Sequence, residues 1–176
     1  MATGTVILFP GGIGADGTGS GNNSAALSYR VSTGTQTANT PKAAFVELLL
    51  DPTTDEHWLY SFMMPFNYAS GGTLRGTIKS AATSGNVIMK AGQVSIIVSS
   101  TATNAAVYAA ADLSSAIAIA GTAGQEVQFT ITLTMTNAAA GRHILIFGGR
   151  DADNASDTVN ANDVELTTLN FEYTTT

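Results

Sequence analysis

The chain has 176 residues, of which 44% are hydrophobic and 11% charged, with no cysteine and a formal net charge of −6. That length suits one domain able to bury about 70% of its unfolded surface, so global disorder is excluded, as are disulfides, thiolate metal ligands and cysteine nucleophiles. Seven scattered basic residues cannot neutralise a run of phosphates, and no apolar run approaches the roughly 20 residues of a spanning helix, so no nucleic acid and no membrane is expected as a partner.

Residues 4–9 read as a short strand. The first five residues lack the basic n-region of a signal peptide, and Val6 to Pro10 is too short for its apolar core. The chain is therefore expected to be made in a cytoplasm without a signal peptide. Residues 11–23 follow as a glycine-rich arm or loop that cannot pack a core. Its glycines Gly11, Gly12, Gly14, Gly17, Gly19 and Gly21 are candidates to lie against a partner. Gly12, Gly14 and Gly17 also match G-x-G-x-x-G. The dinucleotide fingerprint needs those glycines to open a helix in a β-α-β unit, and Gly19-Ser20-Gly21-Asn22 opens none, so no cofactor is expected.

Strands are then predicted over 24–31, 43–51 and 58–64. The segment Asp55 to Tyr68 concentrates the aromatic residues. Trp58, Tyr60, Phe66 and Tyr68 form a candidate stacking platform for a sugar, or else fill a sandwich core from a central strand that Pro65 ends. His57 and His143 are the only imidazoles, and neither stands in a triad or H-E-x-x-H context, so no catalytic residue is assigned. Residues 72–80 alternate, with Leu74 and Ile78 opposed to Thr73, Arg75, Thr77 and Lys79. Further strands are expected over 86–91 and 93–99. The alanine-rich stretch 104–115 predicts a short helix or an irregular crossover.

The clearest alternation is 127–135, where Val127, Phe129, Ile131, Leu133 and Met135 face inward and Gln128, Thr130, Thr132 and Thr134 outward. Strands at 143–149 and 163–173 complete the set. In the last, Val164 and Leu166 share one parity while Leu169, Phe171 and Tyr173 share the other, which predicts a bulge near Thr167-Thr168. Between them, Asp151, Asp153 and Asp157 place carboxylates on one loop, as a hard cation such as Ca²⁺ requires. Ala155 and Ser156 break the known loop pattern, so the expected role is a turn in which Asp and Asn cap their own backbone.

Short, regularly spaced strands separated by Gly, Asn and Ser clusters predict an all-β fold: an antiparallel, jelly-roll-like β-sandwich. The boundaries expected are 1–23 for the N-terminal strand and arm, and 24–176 for the sandwich. Only three residues are lysine, Lys42, Lys79 and Lys90, a composition suited to a surface that neighbours cover.

Two stretches carry a family resemblance: Asp55-Glu56-His57-Trp58 through Pro65 with Asn67 to Leu74, and Arg150 to Thr158 followed by the strand from Val164. Together they resemble small jelly-roll structural proteins of tailed bacteriophages, over roughly residues 43–173. The resemblance implies a virion component on the outer capsid surface, a decoration or cement protein binding the major capsid protein as a homo-oligomer, a trimer favoured. It implies no enzyme activity and carries over no catalytic residue. The alternative is a tail- or fibre-associated β-sandwich module that binds a carbohydrate or receptor.

Overall fold

The computed structural model describes residues 2–8, 23–35, 37, 39–102 and 105–176. Their strands, in chain order, are β1 (Thr3–Leu8), β2 (Asn23–Ser24), β3 (Ala26–Val31), β4 (Ala44–Leu50), β5 (Glu56–Met63), β6 (Tyr68–Ser80), β7 (Asn86–Val87), β8 (Met89–Ile96), β9 (Asp112–Leu113), β10 (Ile117–Ala118), β11 (Val127–Thr132), β12 (His143–Arg150) and β13 (Val164–Thr175). The first sheet runs β11-β6-β13-β4-β3, with β1 also paired to β13, and the second runs β2-β5-β12-β8-β9. All their pairings are antiparallel except the two-residue contact of β2 with β5. A short β7–β10 ladder stands apart from both sheets. The fold is the all-β antiparallel sandwich that the alternation predicts.

Period-2 patterning decides which side chains meet. Leu48, Leu50, Leu74, Ile78, Phe129, Ile131, Leu166 and Phe171 point from the first sheet towards Trp58, Met89, Ile144 and Ile146 of the second. Burying each such side chain is worth about 1.5–3 kcal/mol, which is why these parities are fixed. The outward residues of β11, Gln128, Thr130 and Thr132, are exposed. Gly148 lies under the Trp58 ring, where a Cβ would come within 2.1 Å of it, so the indole needs that glycine on the neighbouring strand.

The parity slip in the last strand is a true register shift between Leu166 and Thr168. There β13 changes partner on one side: Val164–Leu166 pair with β4, and Leu169–Thr174 pair with β1. Thr77 Oγ1 bridges the irregularity, at 2.7 Å from Thr167 Oγ1 and 2.6 Å from Thr168 Oγ1.

One expectation is corrected. In place of two comparable strands over 86–91 and 93–99, the chain forms the two-residue β7 and then one strand, β8 (Met89–Ile96). β8 runs through Gly92, where the Phe147 ring lies at the place of a Cβ, 2.4 Å away. Of the two forms expected over 104–115, the described residues 105–115 take the irregular crossover and not the helix, as their lack of an apolar stripe allows, and contribute β9. The N-terminal strand β1 pairs with β13, and Leu8 joins the core. The arm glycines Gly11, Gly12, Gly14, Gly17, Gly19 and Gly21 lie outside the described residues.

Candidate functional site

The four rings proposed as a platform do not form one. Trp58 is 1% exposed and Tyr68 is also buried, because both take inward positions on β5 and β6. Tyr60 shares the Trp58 parity, is half-buried and meets the indole edge-on at 5.5 Å between centroids. Phe66 alone is open, 83% exposed on the turn after Pro65. The aromatic concentration in this segment is mostly core.

The aromatic side chains on the outer face of the second sheet come from elsewhere in the chain. Phe147 on β12 meets the His57 ring at 5.8 Å and the Tyr108 ring edge-on at 4.9 Å. Phe147 and Tyr108 are half-buried, while Val107 beside them is open to solvent. His57 is buried, and its Nδ1 has no hydrogen-bond partner. Burial first, and the Lys90 charge second, hold the imidazole below its ordinary pKa.

The three aspartates of the acidic loop separate. Asp157 turns inward and takes a fork from Arg150, with Nε at 2.9 Å from Oδ2 and Nη2 at 2.7 Å from Oδ1. Asp151 and Asp153 stay near the surface and meet Asp55, which the sequence did not single out, so that one oxygen of each lies within 4.8 Å of the others. Three carboxylates so close need a cation, and the chain supplies it. Lys90 Nζ hydrogen-bonds Asp55 Oδ2 and lies 3.1 Å from Asp151 Oδ1. Burial works against the ammonium, but its bonds to Asp55 and Asp151 outweigh that and raise its pKa. Asp55 Oδ1 also accepts the Ala152 N–H at 2.8 Å, and Asp151 Oδ2 accepts Asn154 Nδ2–H at 2.8 Å. A metal ion would have to displace Lys90 to bind here.

A second surface lies on the β3–β4 hairpin, at an edge of the first sheet. Leu27 pairs with Leu48, Tyr29 with Val46 and Val31 with Ala44, which puts them on the core-facing side of the sheet. Leu48 is buried, whereas Leu27 is 64%, Tyr29 69%, Val31 49% and Val46 39% exposed. The hairpin is thus a wing reaching past the sandwich, apolar on the side where a layer would pack. Its other side is held by charge: Arg30 and Lys79 both pair with Glu47 and Glu165, and Glu47 and Glu165 are buried. Lys79 Nζ also lies 4.3 Å from the centre of the Phe45 ring. Leu27-Ser28-Tyr29-Arg30-Val31 reads as an ordinary half-buried strand, and nothing local shows that no second layer covers it.

No protein-family model matches the chain, and no curated protein matches it. Among solved structures it is similar to the CBM22-1 xylan-binding domain of Xyn10C from Paenibacillus barcinonensis, at 11% identity and a TM-score of 0.42, over 96% of this chain and 99% of that one.

Proposed function

We propose that the chain is a non-catalytic assembly module that attaches to a protein lattice through the β3–β4 wing. The observation that carries this reading is the wing itself: Leu27, Tyr29, Val31 and Val46 expose one apolar face on an edge hairpin. Contiguous exposed apolar surface of this kind is characteristic of association sites, and an open strand edge adds backbone donors and acceptors. In its finer form the lattice is the major capsid protein of a phage head, and the chain is a decoration protein on the outer capsid surface, acting as a homo-oligomer. The low lysine content and the resemblance over residues 43–173 support that form. Stabilisation would follow from mass action, because a ligand that binds only the assembled shell favours it. Cosedimentation with expanded empty capsids tests the reading. The wild-type chain should pellet with the shells, and Tyr29→Glu should stay in the supernatant with its melting temperature nearly unchanged. Equal pelleting of both, or no pelleting of either, removes the proposal.

A second reading is carbohydrate binding at the outer face of the second sheet. It is favoured by the half-buried Phe147–Tyr108 pair beside Asp55, Asp151 and Lys90, an aromatic surface bordered by hydrogen-bonding groups. Affinity electrophoresis against xylan and other glycans should then show retardation that Tyr108→Ala abolishes.

A further inference from the structure

We infer that the β3–β4 wing is an arm hinged on the sandwich and held down by a latch of four charges. The latch belongs to the wing on which the proposed attachment rests. It stands on the joint alone, though, and its test needs no partner, so either can fail without the other. The joint is set by where β4 leaves β13. Leu48, Leu49 and Leu50 pair with Leu166, Glu165 and Val164. After Leu166 comes the register shift, and from Leu169 onward β13 pairs with β1 instead. Among the described residues, residues 44–47 therefore pair only with residues 28–31. A two-stranded ribbon of that size is marginal by itself in water, so something must hold it.

Packing between the sheets does not hold it. The core-facing side of the ribbon carries Tyr29, Val31 and Val46, all exposed, so no second layer presses on it. The ties lie on the opposite side, and they are made by charge. The wing supplies Arg30 and Glu47, and the sandwich supplies Lys79 of β6 and Glu165 of β13. Across the joint, Arg30 Nη2 donates a hydrogen bond to Glu165 Oε1. Lys79 Nζ lies 2.8 Å from Glu47 Oε2 and 4.3 Å from the centre of the Phe45 ring. These contacts are the polar ties across the joint among the described residues.

The charges divide evenly between the two halves, which is what lets the latch open. Each half carries a cation and an anion that already meet. Within the wing, Arg30 Nε pairs with Glu47 Oε1. Within the sandwich, Lys79 Nζ lies 3.3 Å from Glu165 Oε2, its direct neighbour on the adjoining strand. Lifting the wing turns one quartet into two pairs and strands no charge. Breaking a buried ion pair is usually costly because one member is left alone, and here that penalty is absent. Glu47 pulls in the other direction. It is fully buried, and neither of its oxygens makes a directional hydrogen bond with the cations beside it. Opening brings water to both oxygens and restores the solvation that burial denies them. The closed arm gains the attraction across the joint and the contact of Lys79 with the Phe45 ring. The open arm gains the hydration of Glu47. Two arrangements with every charge paired are what a switchable joint requires, and the Leu27–Leu48 pair, the last one backed by β13, is its hinge.

The test measures where the arm lies in the whole chain. Because the sequence has no cysteine, Thr33→Cys beyond β3 and Thr130→Cys on β11, both at exposed positions, give the sole sites for two spin labels. Their separation, read by pulsed electron resonance, reports the arm. Reversing the wing alone, Arg30→Glu with Glu47→Arg, keeps its internal pair and makes both cross-joint charge contacts repulsive. That variant should lose the wild-type separation for a broader distribution shifted away from it, while keeping a cooperative melt. Reversing the sandwich side as well, Lys79→Glu with Glu165→Lys, makes the joint attractive again and should bring the wild-type separation back. If the reversed wing keeps the wild-type separation, the charges are not the latch and the inference is overturned. A reversed wing without a cooperative melt overturns it too, because the wing is then part of the core. So does a fourfold reversal that fails to return the separation.

Discussion

Arg150 and Asp157 form a two-point ion pair in which neither side chain has any solvent exposure. Arg150 ends β12 on the inward parity of Ile144, Ile146 and Gly148, so its guanidinium enters the sandwich end beneath the 151–163 loop. Asp157 is brought back seven positions later to meet it. The remaining groups of both are used: Arg150 Nη1 donates to the carbonyls of Asp51 and Asn162, each at 3.3 Å, and Nη2 to that of Val159, while Asp157 Oδ2 accepts the Ile88 N–H at 3.1 Å. The pair ties β12, the β7–β8 junction and the loop into one unit.

Breaking that pair from one side leaves a buried charge with no counter-charge. Asp157→Ala should therefore lose about 3–5 kcal/mol in chemical denaturation. Replacing both, Arg150→Met with Asp157→Leu, should recover a large part of that loss, because the stranded charge is gone. A single variant that loses less than 1 kcal/mol would show that water reaches the pair.

The two faces of β11 should respond oppositely to a charge. Ile131 is buried in the core and Thr132 is exposed, one position on. Ile131→Asp places an unpaired carboxylate between the sheets, which costs several kcal/mol and should abolish the cooperative melt. Thr132→Asp should shift the melting temperature by no more than a few degrees. Similar tolerance of both would mean that β11 does not pack by this register.

Residues whose local pattern fixes their surroundings were legible in the sequence; those that depend on distant segments were not. The parity change from Leu166 to Leu169 locates the β13 bulge because alternation itself records the extra residue. Trp58 and Tyr60 share one parity of a strand, which already argues for core over platform. Asp55 could not be joined to the acidic loop in advance, since 97 positions separate it from Ala152, whose N–H it accepts. Nor does the alternation in β3 tell an inward face that is covered from one left bare, because the covering layer is a property of the partner sheet. The interruption expected between 86–91 and 93–99 does not form, because β8 runs straight through Gly92, where the missing Cβ makes room for the Phe147 ring.

His57 predicts an acid-side loss of stability. Its folded pKa is depressed, by burial and then by Lys90, below the roughly 6.5 of an unfolded chain. Below that value the unfolded state binds the proton more readily, so stability should be full above it and fall as pH drops from 7.5 to 5.5. Glu56, raised chiefly by burial, contributes with the opposite sign, so the His57 share is read from the difference between the wild type and a His57 variant. His57→Gln should flatten the stability profile between those pH values. The His57 ring-proton resonance of the wild type should titrate with a midpoint below that of an unfolded control; a midpoint at or above it contradicts the buried environment.

The acidic cluster makes the sharpest case for or against a cation. Asp157 is committed to Arg150, and Asp55, Asp151 and Asp153 already surround the Lys90 ammonium or lie beside it. Calcium would have to break the Lys90 bonds to Asp55 and Asp151 before it gained oxygen ligands, and only one ligand position, Asp153, is free of that competition. Millimolar Ca²⁺ should accordingly leave the wild-type melting temperature unchanged, and a chelator should do the same. Lys90→Met removes the internal cation and leaves three carboxylates repelling one another, so this variant should melt lower than the wild type. It should also regain stability as Ca²⁺ is added, because an ion bound only to the native state raises stability with the logarithm of its concentration. Adding Asp153→Ala to that variant should remove the calcium response. If the wild-type chain itself melts higher in Ca²⁺, and Asp153→Ala abolishes the shift, then the ammonium does not hold the site and the loop is a metal centre.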